Sequence, residues 1–402
     1  MTDSPAPRAK AAPRDAARRE GRPEGSRHEG GRNEVLQVET RDFVDLVPVG
    51  RPRAHSMRGF DDAYTDIVDY IVRCTHRIWD ERDVGLIYTH YTHNCVVYSS
   101  LGTVSNREDV VQGTIQRIAE LPDRRGMASQ VIWGGDDEAG FYTSHLVTSV
   151  GRHTEPGPYG PPTRKSFTFR TIADCLILEN KIYREWLVRD TMSLLRQIGA
   201  DPHGIAEGFA AGQFARGVRP EAWGETGRVL GQYLPDTKAD LSLAATDTER
   251  ALLQALHDIH NRRLYGTIRS LYAPTVVWHG PGTKDLRGVA AVMAQTFRLA
   301  ATIADLSFMP QHVCSNPCIE GGEKVAVRWE MTGHHLGHGL LGAPTGYPLT
   351  VMGMSQYHVV DGRIVEEWTL YDELALLTQV KLGALVAAEG SAHRPGAGVS
   401  AY

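Results

Sequence analysis

The sequence predicts an α+β protein made of two tandem cone-shaped α+β barrel domains, each a curved antiparallel sheet with helices on its concave side. Three features carry this. A set of residues recurs at a fixed interval, a helical apolar period precedes strand periods in each copy, and hairpin turns join the strands. His76, Ile78, Arg82, Gly85, Ile87, Tyr91 and Val96 recur 181 positions on as His257, Ile259, Arg263, Gly266, Ile268, Tyr272 and Val277. Gly151, His153, Gly160, Pro162, Thr163, Ile182, Glu185, Trp186 and Asp190 recur 182 positions on as Gly333, His335, Gly342, Pro344, Thr345, Ile364, Glu367, Trp368 and Asp372. A unit of roughly 140 residues is too long for a solenoid repeat and reads as a duplicated domain.

Each copy opens on an amphipathic helix: Tyr64, Ile67, Val68, Ile71, Val72, Ile78 and Trp79 in the first, Leu252, Leu253, Leu256, Ile259 and Leu264 in the second. A short strand follows (Cys95 to Tyr98, Thr275 to His279), then a second helix starting near Arg107 and Arg287. Three or four strands close the copy. They are Gly140 to Val150, Lys165 to Leu178 and Lys181 to Val188 in the first, and Val325 to Thr332, Leu349 to Val360 and Arg363 to Leu370 in the second. Asp361-Gly362 is a strong two-residue hairpin signal, whereas Gly134-Gly135 and Gly321-Gly322 read as turns. Helices on the concave face of such a sheet leave a cone whose interior is a natural pocket.

The resulting organisation is a disordered tail over 1–55, domains over 60–198 and 246–383, a linker with weak helices over 199–245, and a flexible tail over 390–402. The tail is rich in Arg, Pro, Gly and Glu, with acidic residues interleaved among the basic ones, so it cannot bury enough apolar surface to order itself.

Composition narrows the function classes. The 402 residues are 42% hydrophobic and 23% charged with a formal net charge of -5, which favours neither nucleic acid nor an anionic membrane as partner. There is no apolar run of membrane-spanning length and no secretory signal, so a soluble, cytoplasmic protein is expected. Five scattered cysteines read as reduced core thiols. Neither a nucleotide loop nor a Gly-x-Ser-x-Gly elbow is present, which argues against hydride transfer and serine hydrolysis. The cluster His334, His335 and His338 lies in a Gly-rich loop without the rigid spacing of a zinc site, and no metal or cofactor is expected.

The series Gly333-His334-His335-Leu336-Gly337, Gly342-Ala343-Pro344-Thr345-Gly346, Asp361-Gly362-Arg363-Ile364-Val365-Glu366-Glu367-Trp368 and Asp372 resembles the SnoaL-like polyketide cyclases of the nuclear transport factor 2-like superfamily. The first copy is similar more weakly, with Arg164 in place of the glycine after the threonine and Glu179-Asn180 in place of the Asp-Gly turn. The resemblance implies a cone fold and makes Asp372 and Asp190 the expected general acid/base residues. In strand geometry each shares a face with the Trp four residues before it, and a carboxylate beside an indole in an apolar cone has a raised pKa. The alternative is that each aspartate caps the helix that follows it.

Further pocket candidates are His279 and Tyr98 at strand ends, Trp368 and Trp186 beside the aspartates, His335 and His153 in the motif loops, and Asp174, which shares a strand face with Arg170 in copy one, with its copy-two counterpart Gln356. For His153 and His335 a backbone-bonding loop role is the competing reading. The sequence therefore leads to a cofactor-independent enzyme acting on a small carbonyl compound by isomerisation, aldol-type cyclisation or dehydration. A non-catalytic ligand-binding or assembly protein stands as the alternative, and division of labour between copies as a third. Its partners are expected to be a small-molecule substrate and, within the chain, the other copy as a pseudo-dimer, with a homodimer of chains left open.

Overall fold

The computed structural model describes residues 52–218 and 238–392; most of the expected N-terminal tail, part of the linker and nearly all of the C-terminal tail lie outside the described residues. Copy one comprises α1 (Ile67–Trp79), α2 (Ile87–His90), β1 (Tyr91–Ser99), β2 (Gly102–Val104), α3 (Arg107–Glu120), β3 (Arg125–Asp136), β4 (Gly140–Arg152), β5 (Ser166–Leu178) and β6 (Lys181–Arg189), followed by α4 (Thr191–Ile198) and α5 (Pro202–Ala215). Copy two comprises α6 (Asp247–His260), α7 (Thr267–Leu271), β7 (Tyr272–Gly280), β8 (Lys284–Arg287), α8 (Val289–Thr302), β9 (Ser307–Pro317), β10 (Glu323–His334), β11 (Pro348–Val360), β12 (Arg363–Tyr371) and α9 (Glu373–Ala392).

Each copy builds one six-stranded sheet, ordered β2-β1-β6-β5-β4-β3 and β8-β7-β12-β11-β10-β9. Pairing is antiparallel except where β1 meets β6 and β7 meets β12. The last strand thus returns beside the first and lies in mid-sheet, so residues on its inner face sit deep in the cone.

Local chemistry fixes the helix starts. Asp66 caps α1 through the Asp69 N–H (2.7 Å), Asn106 caps α3 through the Asp109 N–H (2.8 Å), and Thr246 with Glu249 forms a capping box on α6. At the hairpins, Glu179-Asn180 adopts φ of 48° and 67°, matching 49° and 73° at Asp361-Gly362. The first copy therefore keeps the tight turn without glycine. Its Asn180 is anchored by Asp61, through hydrogen bonds of 3.0 and 3.3 Å.

Gly134-Gly135 is not a turn but the final rungs of β3, paired with Tyr142 and Phe141, and a Cβ on Gly135 would stand 2.0 Å from the Gly140 carbonyl oxygen. The two glycines hid a strand that the sequence pattern did not show. The ordered core also reaches before residue 60, since Met57 is buried against copy one.

Three kinds of core result. Each cone packs its helices on its own sheet. Helices α4, α5 and α9 pack through Leu194, Leu195, Ile198, Ala206, Leu374 and Leu377, so α5, from the stretch read as linker, belongs to the core. The outer faces of the two sheets meet through Leu146, Ile172 and Val188 of copy one and Met354 and Leu370 of copy two. Gln130 Nε2 donates to Gln356 Oε1 (2.6 Å), and Asn316 bonds both backbone groups of Trp133 (2.8 and 2.9 Å), across that contact.

Gly333 marks a close approach, because a Cβ there would meet Ile303 Cγ2 at 2.5 Å and Asp305 Oδ1 at 2.7 Å. Gly333→Ala is expected to destabilise the chain by about 1–3 kcal/mol in urea unfolding. An unchanged midpoint would show that the loop yields freely. No helix among the described residues is long and apolar enough to cross a membrane.

Candidate active site

Strand alternation decides which side chains reach the cone. Along β6, Trp186 and Val188 face the other sheet while Glu185, Leu187 and Arg189 face inward. The face shared by Trp and Asp, expected to line the pocket, is the face between the sheets. Trp186 lies under the Arg328 guanidinium (3.5 Å) and stacks on Tyr98 (5.6 Å). Trp368 stacks on His279 (4.9 Å), whose imidazole bonds Asp285 (2.6 Å) and Glu366 (3.0 Å). Asp174 accepts the Tyr142 hydroxyl, and Gln356 also donates to the Ser144 carbonyl (2.9 Å).

His153 and His335 close the motif loops through the Thr163 and Thr345 hydroxyls (3.3 and 3.1 Å). His334 bonds Asp305 at 2.7 Å. None of the ten predicted site residues is among the side chains lining the described cavities.

The two aspartates sit at helix N-termini between the copies. Asp190 Oδ1 accepts the Ser193 N–H at the start of α4 (3.2 Å), and its Oδ2 accepts the N–H groups of Gly282 (2.7 Å) and Thr283 (2.9 Å) from copy two. Asp372 Oδ1 accepts from Leu374 (2.9 Å) and Ala375 (3.3 Å), and its Oδ2 accepts the Thr191 hydroxyl of copy one (2.9 Å). Each carboxylate thus caps its own helix and ties one copy to the other.

Burial pushes the Asp372 carboxyl up to about 6 despite these hydrogen bonds. A native pKa above the unfolded value means that the folded chain holds this proton more tightly. The contribution is full below about pH 4 and is lost as pH rises through about 6. Asp372→Asn keeps an acceptor for the helix N–H groups and carries no charge. Its stability relative to wild type is therefore expected to improve by about 2 kcal/mol between roughly pH 4 and pH 7. Urea unfolding at both pH values checks this; a difference that does not grow with pH contradicts it.

The cone of copy one holds two adjoining cavities of about 60 and 210 Å³. Both are lined by Ile78, Trp79, Tyr91, Glu185 and Arg189, which makes them two parts of one interior with room for several waters or a small ligand. Glu185 Oε2 accepts the Tyr91 hydroxyl (2.9 Å), and its other oxygen accepts no hydrogen bond among the described residues. Burial raises the Glu185 carboxyl above its ordinary range, opposed by the Tyr91 hydrogen bond and the Arg189 charge. His145, on the wall formed by β4, is buried and kept neutral with a pKa of about 4, and its Nε2 has no partner among the described residues.

Copy two presents the same dyad in a closed setting. Glu367 Oε2 accepts the Tyr272 hydroxyl (2.7 Å) and its Oε1 accepts the Thr369 hydroxyl, so both oxygens are engaged. Ser355 links Thr369 (2.8 Å) to Trp329 Nε1 (2.9 Å), completing the chain of bonds. Trp329 occupies the position of Val147, Tyr357 that of Cys175 and Tyr371 that of Arg189, and only about 60 Å³ remains open. Where Thr369 satisfies Glu367, copy one has Leu187, which has no hydroxyl to give.

Tyr91 and Glu185 were both visible in the repeat, since their counterparts Tyr272 and Glu367 fall at the same intervals. What the sequence did not reveal was their meeting, because β1 and β6 pair in parallel across 94 residues.

With this geometry in place, residues 250–380 match the family model of the SnoaL-like polyketide cyclases, in agreement with the motif series. Among solved structures the chain is similar to AclR from Streptomyces galilaeus (19% identity, 33% of this chain and 95% of that one, TM-score 0.29). It is similar also to IdmH from Streptomyces antibioticus (25% identity, 34% and 99%, TM-score 0.29) and TsrD from Streptomyces laurentii (21% identity, 35% and 98%, TM-score 0.29). No curated protein matches the chain.

Proposed function

We propose that the protein is a cofactor-independent acid/base enzyme acting on a small carbonyl compound, that copy one is the active copy, and that Glu185 is its base. The observation that carries this is the contrast between the two glutamates. Glu185 offers an oxygen without a hydrogen-bond partner among the described residues to a cavity, whereas Glu367 has both oxygens satisfied in a nearly filled cone. The match of copy two to a cyclase family supports the reaction class. The filled interior of that copy favours a structural role for it, as in the division-of-labour reading.

In the proposed step, ionised Glu185 takes a proton from the carbon next to the substrate carbonyl, and the C–H electron pair becomes the carbon–carbon double bond of an enolate. Neutral His145, whose Nε2 has no partner among the described residues, would hold the enolate oxygen as its Nε2–H tautomer, and Tyr91 fixes the carboxylate in place. Return of the proton to another carbon gives isomerisation, attack on a second carbonyl gives ring closure, and loss of a β-hydroxyl gives dehydration. These three share one event. Incubation of small ketones and 1,3-dicarbonyl compounds in deuterated water, followed by NMR, should show enzyme-dependent exchange of the hydrogen next to the carbonyl. Exchange unaffected by Glu185→Gln would remove Glu185 from the mechanism.

A further inference from the structure

Three arginines face or flank the copy-one interior. Arg117, on α3, bonds the Tyr159 hydroxyl (2.6 Å) and pairs with Glu120 (3.1 Å). Arg124, just before β3, lies over the Trp79 ring (4.5 Å). Arg189, the last residue of β6, is half-buried, and its guanidinium makes no hydrogen bond or ion pair among the described residues.

Copy two carries none of these charges at the matching positions. Arg117, Arg124 and Arg189 correspond to Leu299, Leu306 and Tyr371 in the 182-residue register. The fold therefore does not need cations here. An unpaired guanidinium at a cavity wall is unfavourable for stability unless something compensates it. Burial and the neighbouring arginines pull the Arg189 pKa down to about 10, which still leaves it charged at neutral pH. Glu185 supplies a nearby negative charge but is not bonded to Arg189.

We propose that the copy-one cone binds an organic carboxylate, with Arg189 as the residue that recognises it. The planar guanidinium presents paired N–H donors matched to the two oxygens of a carboxylate. Glu185 and Arg189 lie four residues apart on one strand face, about 13 Å along the backbone before their side chains lean inward. A molecule seated between them has its carboxylate at one end and its acidic C–H at the other. This deepens the proposed function and rests on it for the word substrate: the compound turned over is a small oxo acid. The binding claim stands or falls separately.

The test uses the full-length chain with benzoate and its neutral counterpart benzamide, read by calorimetry and thermal shift. Benzoate is expected to bind and raise the melting temperature, and benzamide to bind at least about tenfold more weakly. Arg189→Met should weaken benzoate binding about 10- to 100-fold, and Arg189→Lys by a smaller factor, because the charge remains and the fork is lost. Glu185→Gln should bind benzoate as well as wild type or a few-fold better, since it removes a negative neighbour. No response of the wild type to benzoate, equal responses to the two compounds, or wild-type affinity in Arg189→Met overturns the inference. If Arg189→Met does not fold, the Arg189→Lys protein and the wild-type comparison of the two compounds decide it. Carboxylate binding that persists in Glu185→Gln, together with full proton exchange in that variant, would sink the base assignment and leave this site intact.

Discussion

Glu185→Gln is expected to lower the rate of proton exchange by about 10²–10⁴-fold, the usual contribution of a positioned general base. Glutamine fills the same space and can still accept from Tyr91, so folding and ligand binding should persist while the basic oxygen is lost. Glu367→Gln provides the internal comparison. It alters the equivalent position of copy two, where both oxygens are already hydrogen-bonded, and should leave exchange at the wild-type rate. The pH profile adds an independent check. Because burial raises the Glu185 pKa, the rate should climb with pH as the carboxylate ionises, with a midpoint above the ordinary glutamate range. An acid limb at or below that range, or equal losses in the two variants, would contradict the assignment of the active copy.

Asp190→Ala should produce the largest loss of stability, about 3–5 kcal/mol. One carboxylate satisfies the cap of α4 and the backbone N–H groups of Gly282 and Thr283 in the other copy. A lost cap costs about 1 kcal/mol, and each partly buried donor left without an acceptor about 1–3 kcal/mol. Asp190→Asn, which can keep some of the acceptor geometry, should lose less. Urea unfolding of the two variants checks the order, and a near-neutral alanine variant would show that water replaces the carboxylate. The variant separates roles as well: if Asp190 supports docking and not chemistry, any exchange activity per folded molecule should survive.

The architecture was legible because a duplicated pattern gives two readings of each element, and a weak signal in one copy was supported by the other. The turn at Asp361-Gly362 is a local effect that nearby residues encode; so are the caps at Asp66 and Thr246, which the repeat pattern alone does not point to. The interior was harder for a geometric reason. On a two-residue period, moving from Trp186 to Glu185 exchanges the outer face for the inner one, and nothing in the apolar pattern says which face meets helices and which meets another sheet. Trp186 and Trp368, expected beside the aspartates in the pocket, belong to the contact between sheets. The aspartates were chosen from a family likeness, while the Ser193 and Leu374 N–H groups that they cap lie only a few residues away. The exchange of Arg189 for Tyr371 is visible in the repeat register, but that Arg189 lines a cavity and has no partner for its guanidinium among the described residues is a three-dimensional fact.

The surface joining the sheets has a consequence for how the chain can be divided. Arg328 covers the Trp186 indole, but the position matching Arg328 in copy one is Leu146, a member of the apolar cluster between the sheets. A homodimer would present the same patch from both sides of a twofold axis. Here the cation over one tryptophan comes from the other copy and the cation over the second, Lys324, comes from its own, so the patches have ceased to be self-complementary. Cut between its copies and made as two polypeptides, the protein would reassemble as one of each, and neither half would substitute for its twin.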